Sequence, residues 1–136
     1  MTEDARVDRY ALVTGGSSGI GLETARGLAS HVDVVGIVAR NRERLEKAAK
    51  DLASTGAWIE TFQADFSSLA EVRRLARDVK ERFPSLSVLV NNAGVWHRGR
   101  TLSKDGYEDT FAVNHLAHFL LTTELKDLLV AGAPSR

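Results

Sequence analysis

Cysteine is absent from the 136-residue sequence, which removes disulfides, thiolate metal ligands and thiol nucleophiles and fits a reducing compartment. Net charge is missing as well. The 18 Lys and Arg balance 18 Asp and Glu, so no broad field draws in nucleic acid or anionic lipid, and any anion site has to be local. Long apolar runs are also lacking: the longest, around Val34 to Ala39, falls far short of a bilayer span, and the start Met1-Thr2-Glu3-Asp4-Ala5-Arg6 is charged. The expectation is a cytoplasmic chain with no secretion signal, no membrane partner and no nucleic-acid partner. What is present, 43% hydrophobic and 26% charged residues, suits one globular domain with a real core.

Short β-branched runs alternate with longer segments of helical period, the pattern of an α/β fold with a parallel sheet. Tyr10 to Thr14 reads as a strand, Gly15-Gly16-Ser17-Ser18-Gly19 as a turn, and Leu22, Ala25, Leu28 and Ala29 as one face of a helix. Val34 to Ala39 is near-continuously apolar, as a central strand covered on both faces would be. Leu45, Ala48, Ala49, Leu52 and Ala53 mark a second helix, and the mixed run Trp58 to Ala64 suits an edge strand. Ser68-Leu69-Ala70-Glu71 has the form of a capping box opening a helix that stops before Pro84. Val88-Leu89-Val90 is a fourth strand and Asn91 to Thr101 a loop. Phe111 to Val130 reads as one long helix, apolar on nearly every side, and Ala131 to Arg136 as a tail.

The Gly-rich turn between strand and helix aims backbone N–H groups and a helix N-terminus at one point, where a phosphate belongs. Gly15 makes the tight exit, Gly19 lets a pyrophosphate reach the backbone, and Gly21 lets the helix pack closely. Neither Gly-x-Gly-x-x-Gly nor a P-loop Gly-Lys-Ser/Thr ending is present. About twenty residues on, where an acid would bind the ribose 2′-hydroxyl of NAD, stands Ala39-Arg40-Asn41-Arg42. A guanidinium there suits the 2′-phosphate of NADP; the alternative is that Arg40 and Arg42 open a helix in solvent. Asp65 is either a ligand contact or a helix cap, and Asn91 and Asn92 either line a site or satisfy backbone groups at a strand end. His115 and His118 lie three apart with no third ligand at metal spacing, so no metal is expected. Trp96, His97, Arg98 and Arg100 are weaker candidates for a substrate loop.

From Tyr10 to about Leu129 the chain resembles the first half of a short-chain dehydrogenase/reductase. Thr14 to Gly21 matches that family's Thr-Gly-x-x-x-Gly-x-Gly turn, and Asp65-Phe66, Asn91-Asn92-Ala93-Gly94 and Asn114 match later motifs in order. Val113-Asn114-His115-Leu116 and His118-Phe119-Leu120-Leu121-Thr122 are similar to the retinol-dehydrogenase-like and WW-domain-oxidoreductase-like branch. The resemblance implies a Rossmann-type doubly wound sheet with strand order 3-2-1-4 and an NADP-dependent oxidoreductase moving hydride between nicotinamide and a carbonyl or alcohol substrate. The implied cofactor contacts are Gly15, Ser17, Ser18, Gly19, Ile20, Arg40, Asp65, Phe66, Asn92, Ala93 and Gly94, with NADP preferred to NAD. Asn114 is the implied catalytic residue, holding a water in a proton relay.

The family's catalytic Ser and Tyr-x-x-x-Lys have no match before Arg136, and neither Tyr10 nor Tyr107 has a lysine four residues on to lower a phenol's pKa. The expectation is a single NAD(P)-binding domain cut before its catalytic half, inactive alone. Its fourth strand would have an open edge, favouring a homo-oligomer. The alternative is a non-catalytic nucleotide-binding or interaction module.

Overall fold

A computed structural model describes residues 8–136; the charged start lies outside the described residues. β1 (Tyr10–Thr14) leads into α1 (Gly19–Leu28), β2 (Val34–Ala39), α2 (Arg42–Leu52), β3 (Trp58–Gln63), α3 (Leu69–Arg82) and β4 (Val88–Val90). All four strands are parallel in the order β3-β2-β1-β4, the order expected from sequence, with the apolar β2 inside and the mixed β3 at an edge. No described helix is long and apolar enough to cross a membrane.

Alternation along β1 splits the core between the two faces of the sheet. Ala11 and Val13 join Val35, Ile37 and Leu45 beneath α1 and α2, while Leu12 joins Phe62, Val72, Leu75 and Leu121 beneath α3 and the helix that carries Leu121. Side-chain caps fix two helix starts. The Asn41 side chain accepts from the N–H of Arg44 at 3.0 Å, opening α2. Ser68 Oγ accepts from the N–H of Glu71 at 3.3 Å, but Glu71 accepts the N–H of Asp65 rather than returning to Ser68. The capping box is therefore half formed.

The long helix expected over Phe111 to Val130 is broken into α4 (Asp109–Phe111), a π turn over Ala112–Leu116, α5 (Ala117–Glu124) and α6 (Lys126–Ala131). At the turn the N–H of Ala117 bonds to the carbonyl of Ala112, one residue further back than in an α-helix. Leu125, at φ −93° and ψ 3°, ends α5. Apolar periodicity does not register a one-residue offset inside a helix, so the sequence shows none of this. The tail is also not loose: the N–H of Leu89 donates to the carbonyl of Arg136 at 2.8 Å, and the N–H of Arg136 to the carbonyl of Ser87 at 3.0 Å. That is the bonding of a parallel neighbour, so the β4 edge expected to be open is paired at this one residue.

Candidate functional site

The C-terminal ends of the parallel strands converge on a cleft of about 280 Å³. Of the residues expected from sequence, Gly15, Ser17, Ser18, Arg40, Asp65, Phe66, Ala93 and Gly94 line it. Gly19 has a φ of +54° with open space where a side chain would stand, so its backbone faces outward unshielded. Gly21 is under a different constraint: a Cβ there would collide with the carbonyl of Gly15. Ser18 opens α1 without a side-chain cap, leaving the first N–H groups of the helix uncapped by its hydroxyl. Ile20 is exposed beside Gly19 in a separate shallow depression rather than in the cleft.

One wall of the cleft lies at the start of α2. Arg40 and Arg44 both line the cleft, and among the described residues neither has an ionic partner, whereas Arg26, Arg74 and Arg82 are paired. Arg42, singled out with Arg40 from the sequence, faces another groove with Arg74 and Asp78. Arg44 was missed, although its position in the first turn of a helix opened by Asn41 is a readable signal. Two guanidinium groups with no ionic partner among the described residues, beside a helix N-terminus, give this wall a local positive potential in a chain without net charge.

Asp65 lines the cleft and does not cap α3. Its carboxylate accepts the N–H of Ser67 at 2.9 Å and faces the Lys104 ammonium at 3.2 Å, while the cap of α3 is Ser68. Burial raises the Asp65 pKa, but the Ser67 and Lys104 hydrogen bonds outweigh it and hold the carboxyl below its ordinary value. Lys104 also faces Glu71 at 3.4 Å, and its N–H donates to the carbonyl of Ser67 at 3.0 Å. The loop before α4 is thereby fixed against the rim of the cleft. Phe66 is buried, its ring edge-on to His118.

At the seam between β1 and β4, the fully buried Thr14 hydroxyl accepts the N–H of Asn92 at 2.9 Å and of Ala93 at 3.0 Å. The Asn92 amide donates back to the carbonyls of Thr14 and Gly15, at 3.0 and 3.4 Å. Asn92 thus braces the turn from below and does not line the cleft. Asn91 donates to Thr122 Oγ1 at 3.1 Å. The Asn114 side chain bonds to Val95 at both ends, accepting its N–H and donating to its carbonyl, both at 2.8 Å. It pins the loop after β4, and its amide keeps a second N–H and a second lone pair. His97 pairs with Asp109 at 2.7 Å, Trp96 is exposed, and the two helix histidines part company: His115 stacks on Phe111 while His118 turns inward to Thr14.

Comparison with known proteins adds to this geometry. Residues 9–135 match the family model described as short chain dehydrogenase. A WW domain-containing oxidoreductase of Danio rerio is 42% identical over 133 residues, covering 95% of this chain and 32% of that protein. Human retinol dehydrogenase 13 is 39% identical over 130 residues, covering 94% and 39%. The solved Pseudomonas aeruginosa RhlG/NADP active-site complex superimposes with a TM-score of 0.80 at 38% identity, covering 92% of this chain and 49% of that one. The chain spans less than half the length of each of these relatives.

Proposed function

The chain belongs to the short-chain dehydrogenase family, and from that premise we propose that its strand-end cleft holds the adenosine half of NADP for an oxidoreductase acting on a carbonyl or alcohol. The observation that carries the reading is the pair of unpaired guanidinium groups, Arg40 and Arg44, on one wall of the cleft. An NAD site places an acid there for the 2′-hydroxyl. The volume, about 280 Å³, is at the low end of small-molecule sites and suits an adenosine rather than a whole dinucleotide.

The residues fit such a group. Gly19 offers open backbone for a pyrophosphate, Ser17 and Ser18 line the approach, and Asp65 with Phe66 forms the base end. Ala93 and Gly94 form the floor towards β4. The nicotinamide supplies or accepts a hydride when the cofactor is bound. Asn114 serves that chemistry by holding the loop after β4 through Val95. No described tyrosine is placed for proton transfer: Tyr10 packs on Phe83 with ring centroids 5.0 Å apart, and Tyr107 has no lysine a turn later. The proposal therefore makes residues 1–136 a single nucleotide-binding domain that does not turn over substrate by itself.

Titration of the chain with NADPH and NADH tests this. NADPH should bind more tightly, and Arg40→Ala and Arg44→Ala should each weaken it by on the order of 1 to 3 kcal/mol while leaving NADH nearly unchanged. Tighter binding of NADH by the unmodified chain overturns it.

A further inference from the structure

His118 is a buried titratable side chain with no task in the reading above. Its Nε2 lies 3.1 Å from Thr14 Oγ1, its Nδ1 lies 3.4 Å from the carbonyl of Asn114, and its ring stands edge-on to Phe66 at 5.2 Å. A hydroxyl has two lone pairs and one proton. The N–H groups of Asn92 and Ala93 fill the lone pairs of Thr14 Oγ1, so its proton is left for His118 Nε2 or for the Val90 carbonyl, 3.3 Å away. A neutral ring accepts it at Nε2 and keeps Nδ1–H for Asn114. An imidazolium cannot accept. Its Nε2–H would be a third donor aimed at an oxygen with two lone pairs, and one of the three has to let go.

We propose that His118 is a positioning residue for the nucleotide: as a neutral acceptor it locks the Thr14–Asn92–Ala93 junction beneath the Gly-rich turn, and its protonation unlocks that junction and weakens binding. The proposal rests on the reading of the cleft as the nucleotide site. The connection is short, because Ala93 and Gly15 line the cleft and Asn92 bonds to the carbonyl of Gly15.

The surroundings favour the neutral ring. β1 presents Thr14, the link from β3 to α3 presents Phe66, and α3 turns Val72 and Leu75 into the core cluster shared with α5. The charge on that link, Asp65, is paired with Lys104 of the loop before α4, and His115 on the same helical segment as His118 lies exposed against Phe111. Burial lowers the His118 pKa from 6.5, outweighing the raising effect of the Asn114 carbonyl. Below 6.5 an unfolded chain takes up this proton before the folded one does. The junction is thus intact above that pH, and stability falls as the pH drops from 6.5 through the lower folded value.

The test titrates NADPH against the unmodified chain and His118→Gln from about pH 8 to about pH 5, glutamine offering an acceptor that does not titrate. Relative to the variant, the unmodified chain should lose affinity by up to about tenfold per pH unit below the His118 pKa; titration of the 2′-phosphate is common to both and cancels. Parallel profiles overturn the proposal. Nitrogen-15 NMR of the unmodified chain reads the junction without ligand: it should show the Nδ1–H tautomer, with the Asn92 and Ala93 amide signals moving as His118 titrates. The Nε2–H tautomer, or amides unmoved through that titration, overturns it even if H118Q fails to fold. Absence of NADPH binding at neutral pH with the NMR result as expected is instead a failure of the cleft reading.

Discussion

β2 and β4 flank the same strand, yet they hold it differently. β2 pairs with β1 over five residues and with β3 over six, and its middle is fully buried. β4 pairs with β1 over three residues, all half-buried, and the helical segments that follow leave Phe111, Phe119 and Val130 exposed. On the β2 side each turn is fixed by its own neighbours: a glycine at positive φ, an asparagine cap, a run of β-branched residues. On the β4 side position depends on groups far apart in sequence, such as the Thr14 hydroxyl and the N–H of Ala93, 79 residues away. Half of the crevice is written locally and half is assembled at long range.

The sharpest way to break that contrast is paired truncation. Ile37→Ala on β2 should cost about 2 to 5 kcal/mol, whereas Leu89→Ala on β4, only partly buried, should cost less than half as much. Urea denaturation measures both, and equal losses would erase the distinction. At the seam, Gly21→Ala should cost about 1 to 3 kcal/mol, because the new methyl displaces the Gly15 carbonyl, and it should weaken NADPH binding beyond the loss of fold. Normal binding by a folded variant would mean that the turn tolerates displacement. The smallest change has the opposite sign. Gly27 lies exposed in α1 with nothing near a Cβ, so Gly27→Ala should stabilise the chain by about 0.4 to 1 kcal/mol, read as a raised Tm.

The same contrast explains what could be read from the sequence. The bounds of β1, β2 and β4 follow from apolar runs between turn residues, and the 3-2-1-4 order follows from the family resemblance. Arg40 is legible because it stands at a fixed distance from the glycines, and Arg44 was overlooked in favour of Arg42 although two residues of helix, about 200°, separate their directions. Lys104 on Asp65 and His118 on Thr14 leave no local trace, since their partners lie 39 and 104 residues away. Asn114 was found by its motif, but its engagement with Val95 was not, because a motif names a residue and not the direction of its amide.

The π turn over Ala112–Leu116 makes this segment a vernier between two ends of the site. Asn114 reaches the loop after β4 from within the turn, and His118 reaches β1 from just beyond it. Each residue of a helix advances the next by about 100°. An extra residue in the regular winding between the turn and His118 would advance His118 by about 100°, away from Thr14, even with every side chain retained. Chain length between these two residues is therefore as much a specification of the site as their identities.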